Sequence, residues 1–143
     1  MSTPVKTRAE FQHLAAVRLE EAKILLDAGK WDGAYYLAGY AIELALKACI
    51  IKTLMATDAF PEKKFSDRCY THDIGGLVTL ADMMTVWLTA TTTDSKLSGN
   101  WGIAKEWSEQ KRYHQITEAE ARDLYAAVAD AAHGVLPWIK TYW

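Results

Sequence analysis

Apolar residues recur every three or four positions along most of the chain, which is the spacing of an amphipathic α-helix. The first such segment runs from Pro4 to Ala28, and Gly29 follows it as a suitable helix-terminating residue. The second runs from Trp31 to about Thr57 and is apolar almost all round, which is typical of a helix buried at the centre of a bundle. We therefore expect a helical hairpin at the start of the chain.

Alanines form a stripe along this second helix. Their spacings of four, three, four and three place them on one face, where small side chains let a neighbouring helix approach closely. The stripe predicts one unusually close neighbour, and it consists of Ala34, Ala38, Ala41, Ala45 and Ala48.

The middle of the chain is less regular. Pro61 and a charged stretch interrupt the pattern over residues 58–72, which we interpret as a connector. A third helix is expected over residues 73–89, followed by a polar loop over residues 91–99. A fourth helix is expected over residues 101–113, with Asn100 as its N-cap.

Thr117 and Glu120 have the spacing of a capping box, so a fifth helix is expected to begin there and to bend or end near Pro137. No segment of useful length alternates as a strand does. The pattern predicts an all-α fold, an antiparallel up-and-down bundle of four main helices plus a short fifth, in a single domain over residues 1–143.

Composition narrows the class of protein. A net charge of −2 gives no bulk attraction to nucleic acid or acidic membranes, so any such contact must be local. No stretch of about 18 uncharged apolar residues is present, and we expect no membrane association. The first residues lack a secretory signal, and Cys49 and Cys69 are far apart, which fits a cytoplasmic protein.

Polar chemistry interrupts the apolar second helix at Glu43 and Lys47. They are one turn apart, with the acid first, which is the favourable order for an ion pair. Tyr36 and Tyr40 lie on the same stripe. The set forms either an ion pair at the bundle edge or a polar pocket that binds a ligand.

His72 precedes the predicted third helix. Asp73 or Thr71 can cap that helix, with the imidazole bonded to the bundle, or His72 can serve a functional site. Glu10 and His13 form a single Glu-x-x-His motif. Since a di-metal bundle site needs two copies and further carboxylates, we predict no metal and no cofactor.

Aromatic and basic side chains are most concentrated at Trp107, Arg112 and Tyr113. The aromatic residues could stack on a base while Lys111 and Arg112 meet a phosphate. Alternatively, Trp107 and Tyr113 belong to the core and Arg112 reaches a buried carboxylate such as Glu43.

Aromatic residues are also frequent near the end of the sequence, where Trp138, Tyr142 and Trp143 occur. They either wrap around their own bundle or contact a partner. A homodimer is the simplest partner arrangement, because symmetric pairs are the commonest oligomers.

Three segments, taken together and in order, resemble the HEPN family of helical domains. The most specific is A-x-Y-L-A-G-Y-A-x-E-x-x-L-K-A from Ala34 to Ala48, followed by THDIGGLVTLA over residues 71–81. The last is W-x-x-x-x-R-Y from Trp107 to Tyr113. The resemblance implies an antiparallel bundle, commonly dimeric and cytoplasmic, linked to RNA or nucleotides and often paired with a minimal nucleotidyltransferase in toxin–antitoxin or defence systems.

Many HEPN proteins are metal-independent ribonucleases whose hallmark is an Arg and a following His with four to six residues between them, on a late helix. Arg8 and His13 have this spacing but lie on the first helix. Arg68 is one residue too close to His72, and Arg112 has no His at the required distance. This departure favours a non-catalytic member.

Three functional hypotheses follow. The first is a HEPN-like binding or regulatory module whose ligand site gathers Tyr40, Glu43, Lys47, Trp107, Arg112 and Tyr113, with His72 beside them. The second is a ribonuclease in which His72 is the general base and Arg112 stabilises phosphate charge. The third is a purely structural dimer.

Overall fold

The structure is a computed structural model, and it describes residues 6–143. The helical hairpin predicted at the start is present as α1 (Arg8–Asp27) and α2 (Trp31–Thr57). Thr7 and Glu10 form a capping box at the start of α1. The predicted start of the first helix at Pro4 lies outside the described residues. Gly29 has a φ of 75°, so it supplies the left-handed residue that ends α1.

The central position of α2 is confirmed. It packs against α1 most extensively, and also against helices from the middle and the end of the chain. All five alanines of the stripe are fully buried, which is the environment that small side chains need for close helix packing. By length and apolarity α2 could cross a membrane, but 72% of its most apolar window is buried inside the structure.

The described residues contain eight α-helices and one 3₁₀ helix, so the expectation of four main helices plus a short fifth is wrong. The all-α class is confirmed, and no described residue forms a strand. The helices that follow the hairpin are α3 (Lys63–Arg68), α4 (Ile74–Leu80), α5 (Met84–Thr93), α6 (Ser95–Lys105), the 3₁₀ helix (Glu109–Tyr113), α7 (Glu118–Ala129) and α8 (Val135–Lys140).

The predicted third helix is two helices, α4 and α5, which meet at an angle of 118°. Asp82 lies between them with a φ of 56°, in the left-handed region. The Met83 amide donates to the Val78 carbonyl and the Asp82 amide to the Thr79 carbonyl. This is the Schellman arrangement, which usually has glycine where Asp82 lies.

The predicted loop over residues 91–99 is also wrong. The hydroxyls of Thr91, Thr92 and Thr93 donate to carbonyls of the preceding turn, so these residues complete α5. The Asp94 carboxylate accepts from the Lys96 and Leu97 amides and caps α6.

Asn100 is therefore inside α6 rather than at a cap, and its side-chain amide donates to the His133 carbonyl. The segment predicted as a fourth helix, residues 101–113, is divided between the end of α6 and the 3₁₀ helix. The connector over residues 58–72 contains α3, which the sequence did not indicate.

The capping box of Thr117 and Glu120 is confirmed at the start of α7. That helix ends at Ala129, earlier than predicted, and Pro137 lies in the first turn of α8, where a missing amide hydrogen costs nothing. Trp138 packs edge-on against Trp101 at 5.9 Å, and the Trp143 carbonyl accepts from Gln12 at 2.8 Å. The aromatic tail thus wraps around its own bundle.

Candidate functional site

Glu43 is the one charged residue buried among the described residues, with 1% of its surface exposed. Its Oε1 lies 2.7 Å from Nδ1 of His72, and its Oε2 lies 3.4 Å from Nζ of Lys47. An unpaired carboxylate at this depth would be costly, so these two partners hold the charge in place. The Glu43–Lys47 pair predicted from the sequence is thus present.

His72 is positioned by the start of α4. The Asp73 carboxylate accepts from the Gly76 amide at 3.1 Å, and the Thr71 hydroxyl accepts from the Asp73 amide at 3.1 Å. Asp73 is therefore the N-cap, as one of the two predicted alternatives had it, whereas Thr71 binds the amide of Asp73 itself. The backbone on either side of the imidazole is therefore fixed while its side chain remains 42% exposed.

The second ring nitrogen of His72 faces the 3₁₀ helix, with Nε2 at 3.2 Å from Oε2 of Glu109. Both nitrogens thus face carboxylate oxygens. Donating to both at once requires a proton on each nitrogen, as in the imidazolium form. His72 links the buried Glu43 to a carboxylate at the surface.

Aromatic residues continue the site along α2. Tyr36 and Tyr40 stack with centroids 6.1 Å apart, and Tyr36 lies 5.8 Å from the ring of Trp107. Gly39 makes this possible, because a Cβ added there would lie 2.2 Å from the Trp107 ring. Trp107 is 3% exposed, so in this structure it packs as a core residue, whereas both tyrosines are partly exposed.

The charges around Tyr40 include one that the sequence reasoning did not select. Burial raises the pKa of Tyr40 above its ordinary value, and the nearby Glu43 and Tyr36 raise it further. The guanidinium of Arg18 on α1 acts in the opposite direction. Tyr40 is therefore a neutral hydroxyl at physiological pH, with a cation close by.

Arg112 and Tyr113 are exposed at the end of the 3₁₀ helix, with the guanidinium 4.8 Å from the ring centroid of Tyr113. Hydrogen bonding to Tyr113, and less strongly to Tyr36, raises the pKa of Arg112. The alternative in which Arg112 reaches Glu43 is wrong, because His72 and Lys47 take that place. Arg112 remains a permanent cation beside the two phenols.

Glu109 was missed by the sequence reasoning. It lies inside the Trp107–Tyr113 motif, so its position was visible, but nothing in the spacing links it to His72. Of the predicted site residues, the structure joins Tyr40, Glu43, Lys47 and His72 directly on or against α2. Trp107 and Arg112 connect to them through Tyr36.

Metal clusters and other cavities were also considered as possible sites. No group of three or more His, Cys, Asp or Glu side chains within residues 6–143 could hold a metal. A surface cavity of about 690 Å³ between the end of α2 and α3 is lined by none of the predicted site residues.

The HEPN domain family model matches residues 13–132. This range spans most of the chain, and the chain belongs to the HEPN domain family. HEPN domains are associated with RNA- and nucleotide-related functions in general. Comparison with curated proteins and with solved structures gave no significant match.

Proposed function

We propose that this chain is a non-catalytic HEPN module that binds single-stranded RNA or a nucleotide through the surface around His72. The observation that carries the proposal is the buried Glu43, which holds His72 and Lys47 against the bundle beside partly exposed tyrosines. A chain with no bulk positive charge needs such a local combination to bind phosphate and base together.

The cations and the aromatic rings of this surface complement each other. Arg112 is exposed and permanently charged, so it can meet a phosphate without breaking an ion pair in the described structure. Tyr36 and Tyr113 supply ring faces next to it for base stacking. Arg18, which pairs with Glu21, supplies further positive charge near Tyr40, and Lys47 supplies it beside Glu43.

A fluorescein-labelled single-stranded RNA, with ATP as a second probe, tests the binding role by fluorescence anisotropy. The wild-type affinity should fall as salt rises, and Arg112→Gln should lower the slope of log affinity against log salt by about one. Arg122→Gln is the control, because Arg122 is also an exposed arginine beside an aromatic ring, 5.2 Å from that of Trp31, but pairs with Glu118.

Equal losses in the two arginine variants would contradict a local site. Absence of binding to both probes, with a folded protein, would favour the structural alternative, in which Glu43, Lys47 and His72 serve only to join α2 to the segment before α4. In that case Arg112→Gln would change no binding.

Ribonuclease activity is the second candidate, supported by the contact between Nδ1 of His72 and the buried Glu43. A histidine base is commonly oriented by a third group in this way. Against it, Nε2 already faces Glu109, and Arg8 of the only correctly spaced Arg–His pair donates to the Trp143 carbonyl. RNA cleavage in the presence of a chelator, lost in a folded His72→Asn variant, would establish this candidate.

We further propose that the module works in the cytoplasm, as a homodimer and with a minimal nucleotidyltransferase as partner protein in a toxin–antitoxin or defence pair. The family membership supports these proposals in general terms. Sedimentation equilibrium of the purified chain tests the dimer. Copurification with a nucleotidyltransferase encoded next to it tests the partner.

A further inference from the structure

A second concave surface is lined by Lys47 but not by Glu43. It is a cavity of about 590 Å³ between the start of α1, the second half of α2 and the region of α3. This size falls within the range of about 300–1,000 Å³ that is typical of small-molecule sites. Its lining is mostly apolar and includes Phe11, Ile50, Ile51, Leu54, Phe65, Cys69 and Tyr70.

Among residues 6–143, the charged side chains that line this cavity are Lys6 and Lys47, and both are cationic. The Lys47 ammonium has three donors, and its recorded partner within residues 6–143 is Glu43 at 3.4 Å. Its side chain is 17% exposed, so much of its hydration is already removed. An apolar wall with positive charge at its edge complements an apolar molecule that carries one negative charge.

We propose that this cavity, which we call the Lys47 cavity, binds a fatty carboxylate. The chain of the ligand would cover the isoleucines and phenylalanines of the lining, where the burial of each methylene group favours binding. The carboxylate would accept from Lys47, with Lys6 adding positive charge at the rim. A carboxylate suits the ammonium of Lys47, which is a compact donor with hydrogen atoms to spare.

Lys47 belongs to both surfaces. A ligand bound in the Lys47 cavity would therefore place a second carboxylate next to Lys47, in addition to that of Glu43. The proposed fatty-acid site stands independently of the RNA-binding proposal, because its ligand and its lining are different. Only the shared lysine connects the two.

Cys69 allows a direct test, because it lines the cavity while Cys49 does not. Alkylation by iodoacetamide is followed by mass spectrometry, with and without decanoate below its micelle concentration. Decanoate should slow the alkylation of Cys69 in proportion to occupancy. Cys49 is the internal control, because it is 3% exposed and burial raises its pKa to about 11.

Charge variants sharpen the test. Lys47→Met removes the charged donor and should weaken protection by roughly tenfold or more. Lys6→Glu changes an exposed residue and should weaken protection without disturbing the fold, so it keeps the test valid if Lys47→Met unfolds. Lys52→Glu is the matched control, because Lys52 is an exposed lysine of α2 outside the cavity, and its protection should equal that of the wild type.

Three results would overturn the proposal. Equal protection by decanol or decylamine would show that the negative charge is not recognised. Failure of decanoate to protect Cys69 would show that no such site exists. Protection of Cys69 that grows with protein concentration and without any additive would show that a second copy of the chain covers the cavity.

Discussion

Two histidine–carboxylate pairs in this protein have the same length and different surroundings. In the pair that we call the inner pair, Nδ1 of His72 lies 2.7 Å from Oε1 of Glu43. In the pair that we call the outer pair, Nδ1 of His133 lies 2.7 Å from Oδ2 of Asp94. The side chain of Glu43 is 1% exposed, whereas that of Asp94 is 31% exposed. Distance alone therefore does not distinguish them, and burial determines what each pair contributes.

The partners of the two carboxylates differ as well. Asp94 accepts from backbone amides at the start of α6, and Asn100 holds the carbonyl of His133, so the outer pair is one of several bonds that join α6 to the turn before α8. The recorded partners of Glu43 are the side chains of His72 and Lys47. Without them, Glu43 would keep a buried charge with no compensation, whereas water can replace His133 at Asp94.

The largest effect is expected when both partners of Glu43 are removed. The double variant His72→Ala/Lys47→Met should lose about 3–5 kcal/mol of stability, because it leaves an uncompensated buried carboxylate. The matched control is His133→Ala/Lys63→Met, in which both changes are at solvent-accessible residues. Urea unfolding followed by circular dichroism measures both, and equal losses would remove the distinction between the pairs.

Packing next to the inner pair should respond almost as strongly. Gly39→Ala drives a Cβ into the buried Trp107 ring, and overpacking of this kind costs about 1–3 kcal/mol and occasionally more. Gly99→Ala in α6 is the control, because a Cβ there meets no atom within 4 Å. Alanine is the better helix former, so Gly99→Ala should raise the melting temperature, and a similar rise in Gly39→Ala would contradict the contact.

The two histidines can be compared one at a time. His72→Ala should cost about 1–3 kcal/mol, because it leaves one oxygen of the buried Glu43 without a donor. His133→Ala should cost less, since its backbone bonds to Asn100 and Asp130 remain and Asp94 gains water. A larger loss from His133→Ala in urea unfolding would show that burial is not what separates the pairs.

The outer pair should show the smallest effect, as a dependence on pH. The hydrogen bond from His133, and then the Leu97 amide, lower the pKa of Asp94 below its ordinary 3.8. A lowered folded-state pKa contributes stability that is present above about 3.8 and is lost as the pH falls through the folded value. Asp94→Asn keeps a capping side chain but loses the charge, so it should be less stable than the wild type at neutral pH.

This deficit of Asp94→Asn should shrink as acid protonates the wild-type carboxyl. Denaturant midpoints at neutral pH and below pH 3.8 measure the change. A deficit that stays constant across that interval would mean that the charge of Asp94 contributes nothing.

Features with a local cause could be predicted from the sequence. The helices α1 and α2, the capping box at Thr117 and the Glu43–Lys47 pair can each be predicted from residues three or four positions apart. Spacing records such contacts directly. The all-α class follows from the same local signals.

Features that depend on tertiary position could not be predicted in this way. The break between α4 and α5 uses Asp82 in a position where glycine is the usual signal, and three threonines that suggested a loop complete α5 instead. The pairing of His72 with Glu43 and Glu109 joins segments that are 29 and 37 residues away. No periodicity in the chain contains that information.

The central position of α2 also has a consequence for synthesis in the cell. α2 leaves the ribosome before α7 and α8, which cover part of it in the folded protein. The thiol of Cys49 on α2, for example, donates to the carbonyl of Ile139, which lies 90 residues later in the sequence. A nascent chain therefore carries its most apolar helix partly uncovered until α7 and α8 have left the ribosome, and during that interval it is a natural client for chaperones.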